Sequence, residues 1–86
     1  MQKNDMEKTM TFSIHQVDRD RERRQLLRAV YDALTEKGHQ PIDQLAGYIL
    51  TEDPTYITNY KNARSMIRRI DRYELIAALL KEYLGV

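Results

Sequence analysis

From Leu26 onward, apolar residues recur at helical spacing through most of the chain. Leu26, Leu27, Val30, Tyr31 and Leu34 fall within about 140° of a helical cylinder. This stripe predicts helix A, beginning at an N-cap on Asp18 and ending at Gly38, a residue suited to a left-handed C-terminal position. Extended backwards, the stripe meets Arg19 and Arg23. The first two turns are therefore expected off the chain's own core, either solvated or facing an acidic surface on a partner. Pro41 fits the first position of a helix B that runs to about Leu50, with Asp43 in the first turn where the helix dipole favours negative charge. Ile42, Leu45, Ala46 and Ile49 make one face of it, and Gly47 falls on the far side. A helical glycine there suits a second backbone packing close against it. Asp53 and Pro54 open a turn, after which Tyr56 and Ile57 plug the core from a loop or a single helical turn.

Helix C is predicted from about Asn59 to Ile70. Tyr60, Ala63, Met66, Ile67 and Ile70 lie on one side; Lys61, Arg64 and Arg68, with Arg72 if the helix runs on, lie on the other. Asp71 and Glu74 then have the spacing of a capping box, so the chain bends and helix D starts at Arg72. Tyr73, Leu75, Ile76, Ala77, Leu79, Leu80, Tyr83 and Leu84 cover about 200° of helix D, twice what one core contact needs. One face serves the protomer and the other a second surface. A short chain gains core by self-association, and closed two-fold dimers are the commonest solution. The expectation is an all-α domain of about four helices over residues 18–86, forming a homodimer whose interface includes Gly47, Leu75, Leu79, Leu80 and Tyr83. Residues 1–17 are polar, lack a sustained period and read as a flexible arm, with Thr11 to Val17 able to form a short strand when docked.

Composition narrows the function. The chain has no cysteine and only two isolated histidines, which removes disulfides, thiol catalysis and zinc-ligand spacing. No metal, cofactor or catalytic residue is expected, since Glu52 and Asp53 have no nucleophile or histidine near them in sequence. No apolar run approaches the roughly 20 residues of a membrane span and no signal peptide is visible, so a cytoplasmic protein without membrane insertion is expected. Fourteen Lys and Arg against thirteen Asp and Glu give a net charge of +1, so electrostatic function must come from local patches. Two are present: Arg19, Arg21, Arg23 and Arg24 at the start of helix A, and the Lys61, Arg64, Arg68, Arg72 stripe. Either would suit a phosphate or an acidic partner. The 59–70 helix makes nucleic-acid binding the alternative function, weakened by the near-zero net charge.

The order Gly38-His39-Gln40-Pro41-Ile42, Gly47-Tyr48, Asp53-Pro54-Thr55-Tyr56, Asn62-Ala63-Arg64 and Ile67-Arg68-Arg69-Ile70-Asp71-Arg72 resembles the signature of the IreB family of small regulatory phosphoproteins of Gram-positive bacteria. The resemblance covers about residues 26–84. It implies a non-enzymatic homodimeric regulator without cofactor, phosphorylated on threonine in its N-terminal arm by a transmembrane Ser/Thr kinase with extracellular PASTA domains. It further implies a reversing phosphatase, a downstream protein partner, and a role in cell-envelope stress and cephalosporin resistance. Thr9 falls on one acceptor position of the family. Met6 occupies the other, leaving Thr11 as the substitute acceptor. His39 and Tyr73 stand where a tyrosine and an acid are more usual.

Overall fold

The computed structural model describes residues 2–86, with side-chain surroundings from Val17 onward. It contains α1 (Gln2–Glu36), α2 (Pro41–Thr51), α3 (Ala63–Arg68) and α4 (Arg72–Leu84), with 3-10 turns at Pro54–Tyr56 and Tyr60–Asn62 and no strand among the described residues. The all-α expectation holds. α1 starts at Gln2 instead of Asp18, because neither glycine nor proline interrupts the chain before Gly38, and Asp18 is thus an interior residue and not a cap. The side chains of the expected arm, including Thr9 and Thr11, lie outside those described. A helix of 35 residues is about 52 Å long, close to the molecule's longest dimension of 55 Å. At its end Gly38 adopts φ +78°, and the N–H of His39 returns to the carbonyl of Leu34 at 3.0 Å, closing the last turn as the sequence predicts.

The core lies around the C-terminal half of α1. Leu26, Val30, Ala33 and Leu34 meet Leu45 and Tyr48 of α2, Ile57 from the intervening loop, Ala63 and Ile67 of α3, then Ile70 and Leu75. Val30, Leu34, Ile57 and Ile67 are the largest side chains fully removed from water, each contributing about 1.5–3 kcal/mol by burial. Leu27 and Tyr31 pack at the edge.

α2 is rolled from its expected orientation. Leu45 and Tyr48 face inward while Ile42 and Ala46 are exposed. The ring of Tyr56 lies directly over Gly47, where any β-carbon would overlap it, and the side chain of Gln44 donates to the Tyr56 carbonyl at 2.8 Å. The close neighbour expected at Gly47 is therefore an aromatic ring of the same chain, and Gly47 is not free for a dimer interface. Gly47→Val should displace that ring and lower stability by about 1–3 kcal/mol through overpacking. Urea denaturation at fixed protein concentration reads this, and an unchanged midpoint would mean that Tyr56 moves aside without loss.

Asp53 caps the Pro54–Tyr56 turn, accepting from the Thr55 N–H at 3.0 Å and the Thr55 hydroxyl at 2.7 Å. These bonds hold its carboxyl below the ordinary carboxylate range. Helix C is shorter than predicted and broken at its start. Lys61 and Asn62 are both left-handed, with φ 52° and 61°, so the Tyr60–Asn62 turn is out of line with α3. This reversal follows the extended Ile57 and lets Ile57 and Ala63 both reach the core. Arg64 secures it by donating from Nε to the Ile57 carbonyl at 2.9 Å. α4 begins at Arg72 as expected, with the Asp71 carboxylate accepting from the Glu74 N–H at 2.9 Å.

Candidate interaction surface

Only the first turns of α4 are anchored. Leu75 is buried in the core, which places it inside the protomer and not on the dimer interface expected of it. Arg72 reaches back to α2, donating to the Ile49 carbonyl and pairing with Glu52 at 2.9 Å. From its first turn the helix presents Glu74, and beyond Leu75 it turns Ala77, Ala78, Lys81 and Glu82, towards α1 across an open groove of about 620 Å³. At 100° per residue, Ile76, Leu79, Leu80 and Tyr83 fall on the opposite side, and Tyr73, which also borders the groove, closes the arc at about 120°. All five are exposed, Leu80 at 54% and Tyr83 at 92%. α4 therefore carries its apolar face outward. Of the expected interface residues, Leu79, Leu80 and Tyr83 lie on this face, joined by Ile76 and Tyr73. Their spacing was visible in the sequence, but which side met the protomer was not. A smaller exposed stripe, Ile42, Ala46 and Leu50, runs along α2; its i, i+4, i+8 spacing was the available signal.

The basic residues do not form the two open patches expected. Arg23 Nη1 pairs with Glu74 at 3.2 Å and its Nη2 with Asp20 at 3.3 Å, and Arg19 meets the other oxygen of Glu74 at 3.5 Å. Arg24 binds Asp20 at 2.7 Å and lies 3.9 Å from Glu82. The hydrogen bond from Arg24 holds the Asp20 carboxyl below its ordinary range, and the same bond raises the Arg24 guanidinium. The acidic surface facing the first helix is thus α4 of the same chain. On the second patch, Lys61 binds Glu36 at 3.0 Å, which raises the Lys61 ammonium, while Arg64 and Arg72 are committed to backbone carbonyls. The break at Lys61 and the bend before Arg72 remove the single cylinder on which four cations would align. Arg21 and Arg68 are exposed, and their side chains make no hydrogen bond or ion pair among the described residues.

Among the described residues, no group of three or more His, Asp or Glu side chains is placed to hold a metal ion, and no helix is long and apolar enough to cross a membrane. The polar surface offers ion pairs and capped helix ends, and the apolar surface offers a helix face of the kind that packs against another helix.

Residues 7–85 match the family described as IreB regulatory phosphoprotein. A UPF0297 protein of Ruminiclostridium cellulolyticum is 53% identical over 76 residues, covering 88% of this chain and 85% of that protein. The match spans the outward face of α4, the Asp53-Pro54 turn, the Gly47–Tyr56 contact and both Thr9 and Thr11, and on that extent the chain belongs to the IreB family of regulatory phosphoproteins.

Proposed function

We propose that this protein is a non-enzymatic, cytoplasmic regulator that works through protein contacts as a homodimer. Its modification is phosphorylation of Thr9, with Thr11 as the second acceptor, by a PASTA-type transmembrane Ser/Thr kinase, reversed by a phosphatase. Its output is a downstream protein in the cell-envelope stress response that underlies cephalosporin resistance. The observation that carries this reading is the match to a regulatory phosphoprotein family over residues 7–85, a span that includes both threonines.

The outward apolar face of α4 supports the dimer. A 13-residue helix is marginal in water unless an apolar face is covered, and here most of that face is open. Two-fold pairing of Leu79, Leu80 and Tyr83 with their copies would cover it. The nucleic-acid alternative is less favoured, because Lys61, Arg64 and Arg72 have internal partners and do not lie along one helix, which leaves Arg68 as the stripe's cation without one among the described residues.

The kinase step is tested by incubating the protein with the catalytic domain of such a kinase and ATP, then mapping phosphate by mass spectrometry. Phosphate is expected on Thr9 in the wild type, and Thr9→Ala should lose most of the incorporation or move it to Thr11. Phosphate confined to residues outside the N-terminal segment, or none at all, would contradict the reading.

A further inference from the structure

α2 is held firmly on its inner side and carries an uncovered apolar stripe on its outer side. Leu45 and Tyr48 fix it to the core, Gln44 ties it to the Tyr56 carbonyl, and Arg72 reaches its last turn through the Ile49 carbonyl and Glu52. On the outer side Ile42, Ala46 and Leu50 fall within about 80° at 100° per residue, and Ile42 and Leu50 are 67% and 82% exposed. The stripe is about 12 Å long. Asp43 stands at its edge, and beyond it comes Gly47, covered by the ring of the exposed Tyr56. The protomer core makes no use of apolar side chains at 42 and 50.

The charges of this region have one sign. Residues 39–57 contain Asp43, Glu52 and Asp53 and no Lys or Arg. The cations that reach them, Arg64 and Arg72, are committed to the carbonyls of Ile57 and Ile49, and Arg72 also pairs with Glu52. Asp43 is exposed and has no ion-pair partner among the described residues. Asp53 spends Oδ1 on the two Thr55 donors, and its Oδ2 accepts no hydrogen bond among the described residues.

We propose that this stripe docks a basic amphipathic helix of another protein, whose apolar residues cover Ile42, Ala46 and Leu50 and whose Lys or Arg side chains meet Asp43 and Asp53. The partner is the downstream protein of the function proposed above, on which this inference rests. An exposed helix face with apolar residues at i, i+4 and i+8 accepts the apolar ridge of a second helix, and acids beside it admit a basic partner and turn away an acidic one. A second copy of the chain is a poorer occupant. Two-fold pairing of α2 with its own copy brings acidic surface to acidic surface with no cation on either helix. α4 of a copy carries Arg72 and Lys81 against Glu74 and Glu82, so it offers no net positive charge. Because α2 is fixed before a partner arrives, little ordering is needed on this side of the contact.

The test titrates two synthetic helical peptides of about 18 residues into the full chain, with amide shifts followed by NMR. Both carry the same leucine face; one has lysine and the other glutamate at the flanking positions. The lysine peptide is expected to shift residues 42–51 and Tyr56 and to bind at least about tenfold more tightly than the glutamate peptide, an advantage that about 0.5 M salt should reduce. Leu50→Ser and Asp43→Lys should each weaken it by about tenfold, and Leu80→Ser should leave it unchanged. Since residues 43 and 50 are exposed, these variants should keep the wild-type circular dichroism. No binding of the lysine peptide up to about 1 mM, equal affinity for the two peptides, shifts confined to residues 73–84, or no loss in Leu50→Ser would overturn the proposal. So would weaker self-association of Leu50→Ser in sedimentation, which would assign the stripe to a contact between copies. In cells that make the protein, p-benzoylphenylalanine at position 50 should cross-link to a segment of another protein that is basic and has apolar residues at helical spacing. Absence of a cross-link, or cross-links only to this chain or to segments without that character, would contradict the assignment. Failure of the kinase to modify Thr9 would count against the proposed function and leave these binding results standing.

Discussion

Ile57→Ala is expected to lower the stability of the fold by about 2–5 kcal/mol, the range for removing most of a large aliphatic side chain from a closed core. Ile57 lies in a loop, yet none of its surface is exposed, and it joins α1, α2 and α3 at one point. Its backbone is extended and its carbonyl is held by Arg64, so the surroundings cannot close over the space left by the lost atoms. An 86-residue domain has a total stability of the order of 5–10 kcal/mol, and the substitution removes a large share of it. Urea denaturation at fixed protein concentration checks this, since self-association makes stability concentration-dependent. A loss below about 1 kcal/mol would show that the Ile57 plug is dispensable.

Leu79→Asp combined with Leu80→Asp should act differently, abolishing self-association while leaving the protomer folded. Both leucines are about half exposed in the protomer, so carboxylates there are solvated when the chain is alone. In a paired α4 they would be buried without partners, adding the cost of desolvated charge to the loss of about 1.5–3 kcal/mol for each leucine. At about 1.4 kcal/mol per tenfold, the dissociation constant should rise by at least about 100-fold. Circular dichroism should still report a helical protein. Leu75→Ala provides the contrast, because Leu75 belongs to the protomer core and its loss should lower stability even where no dimer forms.

Much of the fold is legible in the sequence where the determining interactions are local. The α1 stripe, the left-handed Gly38, the Asp53-Pro54 turn and the Asp71 cap each involve residues within a few positions of one another, and the structure places all of them as expected. The roll of α2 was not legible, because it depends on the Tyr56 ring lying over Gly47. That contact shows in the sequence only as an unexplained helical glycine. The break before α3 was hidden for another reason: Lys61 and Asn62 adopt left-handed backbone without being glycine, and a helical pattern of apolar residues runs straight through them. The start of α1 was misplaced because Asp18 looks like a cap even though no breaker precedes it. The interaction surface was half legible. The width of α4's apolar arc announced a second contact, but its division between core and outside depends on Leu75 reaching a core built on α1, beside Arg23 meeting Glu74 51 positions away. The same pairing brings Arg19, Arg23 and Arg24 of α1 to the acids of α4.

That the outward face of α4 is an interface between copies is tested most directly by sedimentation equilibrium of the wild-type chain at micromolar concentration, alongside the Leu79→Asp, Leu80→Asp variant. The wild type should run at twice the 10.2 kDa of one chain and the variant at the single-chain mass. A wild type that stays at the single-chain mass across the micromolar range, or a variant that dimerises as well as the wild type, would contradict the assignment.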